Sequence, residues 1–300
     1  MIDVVIIGGG PAGMAAALVA GRGKKEVVLI DEEKPRNKVT KASHAFLTRD
    51  GVTPEQFREK GRRDLARYTG ITTMNDKVVS VKQEDDYTFE VETLGAKKIY
   101  ARKVVITTGF KETLPTIEGI ENYYGQSLFS CPFCDGWEMK DESLVFIIDT
   151  KEGTHIPALL KNWADDLVVV TDGKKIFTDE QKKELMINGI KLIEKGIAKL
   201  EGEKGQLKQV IFEDGEKLNR TGGFCTPTID QTFPLIQQLG IETGDNGFVK
   251  TDGMGRTNVA GIYAAGEITG PSQLIVSASQ GHMVGVGMIF DDSAANFRNV

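Results

Sequence analysis

Apolar positions in this chain gather into short runs of adjacent Val, Ile, Leu and Phe. They occur at Asp3 to Ile7, Val27 to Ile30, Ala101 to Ile106, Glu142 to Ile148 and Leu167 to Val170. Runs of this kind predict strands covered on both faces, as in a parallel sheet. Between them lie stretches with helical spacing. Met14 to Ala20 is alanine-rich, and Thr53 to Tyr68 has Thr53 as a cap and Pro54 in the first turn. Thr178 to Asn188 has Thr178 and Gln181 at capping-box spacing, and Ser277 to Phe290 carries Gly281, Gly285 and Gly287. Val78 to Val91 alternates as an outer sheet would, and Ile190 to Leu218 predicts short strands joined at Gly202 and Gly205. Strands alternating with helices predict an α/β fold.

The totals narrow the classes. Three hundred residues suffice for about two domains with ample core. A net charge of −6 provides no basic face, so no nucleic-acid partner is expected. No apolar run reaches membrane-spanning length, and the first strand begins without a signal peptide before it. Three cysteines do not make a secreted disulfide framework, so the expected compartment is the cytoplasm. The 34 glycines suggest many tight turns near bound phosphates.

The first strand runs into Gly8-Gly9-Gly10-Pro11-Ala12-Gly13, a helix follows, and the second strand ends in Asp31. Gly8 permits the tight turn, Gly10 lets a pyrophosphate approach the backbone, and Gly13 permits close packing of the helix. The helix start presents N–H donors to phosphate, with Pro11 and Ala12 in its first turn. Asp31 is placed to accept from a ribose diol and disfavours a 2′-phosphate. Both NAD and FAD use such a unit.

Cys131-Pro132-Phe133-Cys134-Asp135-Gly136 is the second chemical signal. Two thiols at this spacing can close a small disulfide, and a helix start favours a thiolate. Asp135 is suited to carrying the proton when that disulfide opens. A zinc half-site is the competing reading, but it lacks a second cysteine pair, since only Cys225 and three scattered histidines remain, so no metal is expected. Cys225 reads as a buried structural thiol.

These motifs, with Thr107-Thr108-Gly109, Gly266-Glu267 and Ser272-Gln273-Leu274, occur in an order and spacing that resembles the low-molecular-weight thioredoxin reductase family along nearly the whole chain. The resemblance implies two Rossmann-like three-layer ββα domains. An FAD domain (residues 1–112 and 229–300) is split around an inserted NADPH-binding-like domain (residues 113–228) that carries the Cys pair. It implies FAD as cofactor, Cys134 against the flavin, Cys131 exchanging with substrate, and a homodimer. It places Gly266-Glu267 along the ribityl chain and Gln273 and Leu274 beside the ring. Thr108, Gly109, Arg36 and Asn37 join the expected cofactor contacts, with Val79 toward the adenine and His44 at a flavin edge. For His44, a histidine satisfied by backbone is the plainer alternative. Glu267 departs from the family's Asp, and Ser272-Gln273-Leu274 from its Arg-Gln-Ala.

The second nucleotide unit breaks the pattern. After Ile148 the chain reads Asp149-Thr150-Lys151-Glu152-Gly153-Thr154-His155, with one glycine and two acids where a pyrophosphate would sit. The turn after the next strand has Lys174 and Lys175 where NADPH users carry arginines. Efficient NADPH use is therefore not expected. Four routes remain for the electrons. One is a dithiol oxidase passing electrons from a small-molecule dithiol to oxygen, which the Arg36-Asn37 and Ser43-His44 stretches resemble. The others are reduction of a thioredoxin-like protein fed by ferredoxin or flavodoxin, the same reduction fed by NADPH through a remodelled site, and a flavin-loaded thiol redox sensor.

Overall fold

A computed structural model of the chain describes residues 1–85, 88–230 and 233–298, and two compact units emerge. Unit 1 comprises Met1–Lys38, Ala45–Lys111 and Asp230–Val300; unit 2 comprises Val39–His44 and Glu112–Ile229.

Unit 1 begins with β1 (Ile2–Ile7), α1 (Pro11–Arg22) and β2 (Val27–Asp31). Then come α2 (Pro54–Leu65), β3 (Ile71–Asn75), β4 (Val78–Asp85), β5 (Thr88–Thr93) and β6 (Lys98–Ile106). Asp86 and Tyr87, inside the stretch expected to alternate, lie outside the described residues. Strands β3, β2, β1 and β6 run parallel, in that order. On its edge away from β1, the long β6 serves two neighbours. Its first half pairs antiparallel with β5, which continues to β4. The continuous apolar runs follow from burial on both faces. Val5, Ile7, Val28, Ile30, Val104 and Ile106 enter one core layer, and Val4, Ile6, Val27, Leu29 and Val105 the other.

Unit 2 repeats the theme. It contains β7 (Lys111–Thr113) at its entry, β8 (Leu128–Phe129), α3 (Pro132–Asp135), β9 (Leu144–Ile147), α4 (Ile156–Leu160), β10 (Leu167–Val170), α5 (Asp179–Ile187) and β11 (Lys191–Ile193). A hairpin of β12 (Ile197–Glu203) and β13 (Gln206–Phe212), extended by β14 (Lys217–Asn219), precedes β15 (Gly222–Cys225). The parallel sheet has the order β11-β10-β9-β15-β8. The hairpin turns at Lys204-Gly205, both with positive φ. Gly202, expected in a turn, instead sits within β12 at a register shift, where a Cβ would meet the Gln206 carbonyl oxygen at 2.0 Å. The predicted capping box at Thr178/Gln181 is formed, and the expected Thr53 cap proves to be a capping box as well, closed by Gln56.

At the end of β16 (Thr228–Asp230) unit 1 resumes with α6 (Pro234–Gln238) and then β17 (Ile262–Ala264), which pairs parallel with the second half of β6. The last helix, α7 (Leu274–Arg298), runs further at both ends than its glycine pattern suggested. Gly281 brings it against α1 so closely that a Cβ would lie 1.9 Å from the Ala12 carbonyl oxygen. Its far end is held by charge. Arg256 forks onto Asp291, Tyr263 donates to Asp291, and Lys25 and Lys103 both pair with Asp292. These partners offset the charge of two adjacent acids on the helix.

Candidate active site

The glycine turn between β1 and α1 follows the chemistry of its residues. Gly8 has φ +106°, a conformation that costs a side chain. Gly13 lies so close that a Cβ would meet the Gly8 carbonyl oxygen at 1.9 Å, so it packs on the turn itself. Around Gly10 a Cβ would meet no atom within 4 Å, and no side chain caps α1, so its first N–H groups have no side-chain acceptor. Thr107, at the end of β6, ties the turn down by donating to the Ile7 or Gly8 carbonyl oxygen, each at 2.9 Å. Two features were missed in the sequence. Gly9 leaves room for Asp31, whose Oδ2 would lie 2.6 Å from a Cβ there. Arg58 of α2 pairs with Asp31 at 2.5 Å and fixes its carboxylate.

On the same unit, Arg36 reaches Glu267 rather than standing alone. Its Nη2 lies 2.7 Å from Oε1, its Nε 3.3 Å from Oε2, and its guanidinium lies over the Phe110 ring at 4.8 Å. The extra methylene of Glu267 is therefore accommodated by a forked ion pair. Gly109, with φ +67°, would bring a Cβ to 3.8 Å from Glu267 Oε2, so the Thr107-Thr108-Gly109 and Gly266-Glu267 turns meet. Thr108 Oγ1 is buried with no hydrogen-bond partner. The Gly266 N–H donates to Gln280 Oε1 of α7. Leu274 is the first residue of α7, with Gln273 just before it, and Gln273's carbonyl accepts from the Ser277 N–H. Asn37 lies in a short 3-10 turn, Arg36–Val39, and Val79 is a half-exposed residue of β4. His44, expected at a flavin edge, groups with unit 2, its Nε2 3.5 Å from Glu138 Oε1. That segment is drawn to unit 2 because Gln126 donates to the Val39 carbonyl, against which Gly125 also packs.

In unit 2, Cys131 and Cys134 are joined as a disulfide across the start of α3. Cys131 is the N-cap, and its carbonyl accepts from the N–H groups of Cys134 and Asp135. Asp135 is buried. Loss of water, and secondarily the charge of Glu138, push its carboxyl up to about 7. A carboxyl that holds its proton near neutrality can give and take one at working pH. Phe133 and Trp137 are exposed on either side of Cys134, and Phe133 meets Trp163 edge to face. Cys225 is fully buried, and loss of water pushes its thiol well above the usual range.

The connection after β9 differs from that after β1. Lys151–Gly153 forms a 3-10 turn, and α4 then spans only Ile156–Leu160. Gly153 faces inward, where a Cβ would meet Ile148 Cδ1 at 2.7 Å. Thr154 bridges the Lys151 carbonyl and Gln181 of α5. At the end of β10, Asp172 accepts from the Ile197 N–H, while Lys174 and Lys175 are exposed. Among the described residues no group of three His, Cys, Asp or Glu is gathered as a metal site, and no helix is long and apolar enough to cross a membrane.

The sequence pattern of the pyridine nucleotide-disulphide oxidoreductases matches residues 2–281. The chain belongs to that family. Among relatives, a thioredoxin reductase, sirT, of Leptosphaeria maculans is 29% identical, the alignment covering 97% of this chain and 94% of that protein. A thioredoxin reductase of Listeria monocytogenes is 26% identical over 94% of this chain and 91% of its own. Among solved structures, a putative thioredoxin reductase TrxB from Bacillus anthracis superposes with a TM-score of 0.95 at 40% identity, covering 99% of this chain and all of that one. The structure of HlmI gives 0.93 at 31%, with coverage of 99% and 96%. The protein is thus an FAD-dependent disulfide oxidoreductase of the low-molecular-weight thioredoxin reductase type, with two Rossmann-like domains.

The residues present fit FAD. The open space at Gly10, the uncapped start of α1 and the orphaned Thr108 hydroxyl are unmet donors and room that a phosphate-bearing, hydroxyl-rich cofactor satisfies.

Proposed function

We propose that this enzyme is a dithiol oxidase that does not use pyridine nucleotides efficiently. The observation that carries this is the contrast between the two nucleotide-type turns. After β1, Gly10 leaves an open cradle at the start of a helix of 12 residues. After β9, the sole glycine is packed inward and the following helix has 5 residues. A pyrophosphate needs bare backbone and aligned N–H groups, and the second turn supplies neither. Asp149 and Glu152 add like charge to that deficit.

On this reading a substrate thiolate attacks Cys131 Sγ, the bond to Cys134 breaks, and Cys134 leaves with the electron pair. The protonated Asp135 supplies the proton that Cys134 takes up. The second substrate thiol then displaces Cys131, so the substrate leaves as its own disulfide and the enzyme holds two thiols. Bound FAD supplies the two-electron acceptor for that pair. Gly8, Gly10, Pro11, Ala12, Gly13, Asp31, Thr108, Gly109, Gly266, Glu267, Gln273 and Leu274 are the residues proposed to hold it, with Arg36 and Asn37. Oxygen is the proposed final acceptor and leaves as hydrogen peroxide.

A second reading, reduction of a thioredoxin-like protein with ferredoxin or flavodoxin as donor, draws on the names of the relatives and on exposed Phe133 and Trp137 beside the disulfide. A homodimer in the cytoplasm, with residues 1–112 and 229–300 holding FAD, belongs to both readings. Anaerobic mixing of the yellow enzyme with NADPH, NADH or dithiothreitol separates them. The oxidase is expected to bleach with the dithiol alone and to make one peroxide per dithiol in air. Fast bleaching by NADPH would overturn the nucleotide argument.

A further inference from the structure

Behind the disulfide lies a side-chain cluster that the chemistry above does not use. Tyr124 donates its hydroxyl to Glu112 Oε2 at 2.7 Å, and Ser130 donates to Glu112 Oε1 at 3.4 Å. The two hydroxyl oxygens are 3.0 Å apart. Glu112 comes from β7, Tyr124 from the turn before β8, and Ser130 from the end of β8. All three belong to unit 2. Tyr124 is itself anchored, its N–H donating to the Ile120 carbonyl, and Gly125 and Leu128 close the turn around it. Loss of water and the Glu112 charge hold its phenol far above its usual range, so it stays a donor at every working pH.

We propose that Glu112 and Tyr124 are positioning residues for the redox disulfide, acting through Ser130. This rests on the reading that Cys131 and Cys134 cycle between disulfide and dithiol. Ser130 immediately precedes Cys131, so their Cα atoms are ~3.8 Å apart. While the disulfide is closed, the two sulfurs hold the flank of β8 against α3. Reduction adds two electrons and two protons, one external dithiol becoming its own disulfide, and that covalent tie is lost. What then remains on the Cys131 side is the acceptance of the Cys134 and Asp135 N–H groups by its carbonyl, together with the grip of Glu112 on Ser130. One carboxylate accepting two hydroxyls fixes the Ser130 backbone from two elements at once. Cys131 is thereby kept where its thiol meets Cys134 for reclosure, which raises the effective concentration of one thiol at the other.

The test is the equilibrium of the FAD-loaded enzyme with reduced and oxidised dithiothreitol, quenched with acid and read by alkylation under denaturing conditions and mass. Buried Cys225 adds the same count in every sample. Tyr124→Phe and Ser130→Ala are each expected to shift the dithiol/disulfide ratio about tenfold toward the dithiol, ~30 mV for two electrons. Tyr124→Phe keeps the ring volume, and Ser130→Ala removes one hydroxyl from a partly exposed site, so at least one of the two is expected to fold. Melting temperature is measured alongside, because a merely structural role would move it and leave the ratio alone. Ratios within twofold of wild type in both variants would overturn the proposal. A wild-type enzyme that never takes up electrons from dithiothreitol would instead sink the underlying redox reading.

Discussion

Replacing Asp135 by asparagine isolates the buried carboxyl at the centre of the proton argument. The side chain is 9% exposed, and burial pushes its pKa from 3.8 up to about 7. The folded protein therefore keeps a proton that the unfolded chain releases from about pH 4 upward. Stability contributed by that proton is complete below the unfolded pKa, falls as pH rises, and is lost once pH passes the folded value. Over the full window the loss is about 4 kcal/mol, at ~1.4 kcal/mol for each tenfold change. Between about pH 5 and pH 8.5 it is roughly 3 kcal/mol, since part has already gone by pH 5. The amide of the Asp135→Asn variant does not titrate, so the variant should gain on wild type across that interval and hold its gain at higher pH. Urea unfolding followed by tryptophan emission measures this in the relevant unit, because Trp137 and Trp163 are the protein's two tryptophans and both lie in unit 2. The disulfide is kept oxidised throughout. Parallel stability curves for variant and wild type over the same interval would refute the claim that Asp135 is buried and protonated. Independently, turnover with a dithiol should drop about 100-fold in the variant, the usual worth of a positioned proton donor.

Three further outcomes follow from the same geometry. Gly10→Ala meets no atom and should leave apoprotein stability within about 0.5 kcal/mol, while Gly13→Ala runs into the Gly8 carbonyl and should cost roughly 2 kcal/mol or more. The Gly10 variant should nonetheless retain less FAD on gel filtration, read from the visible absorbance of the flavin against protein absorbance. Cys134→Ser should keep FAD bound but no longer bleach with dithiothreitol; persistent bleaching would remove the disulfide from the electron path. Thr53→Ala and Thr178→Ala each open a capping box and should cost about 1 kcal/mol, measured by denaturant titration.

Much of this protein was legible one stretch at a time. Runs such as Val4 to Ile7 and Val27 to Ile30 announce a parallel sheet, because residues buried on both faces have no reason to alternate. The turn from Gly8 to Gly13, the capping threonines and the Cys131–Cys134 pair are equally local: each depends on a few consecutive residues whose backbone or bond geometry narrows the conformations open to them. The absence of a second glycine cradle after Ile148 is local in the same sense.

What the order of residues left open is set by partners far apart in the chain. Arg36 finds Glu267 across 231 positions, Arg58 fixes Asp31, and Arg256, Tyr263, Lys25 and Lys103 converge on Asp291 and Asp292. Gly202 proves to be a strand residue because another backbone passes beside it. Asp135 stands out in the sequence by its place behind Cys134, but the raised pKa that lets it hold a proton near neutrality arises only when the fold strips its water. Local sequence sets the conformations each segment can adopt; desolvation and long-range charge pairing exist only after distant segments have been brought together.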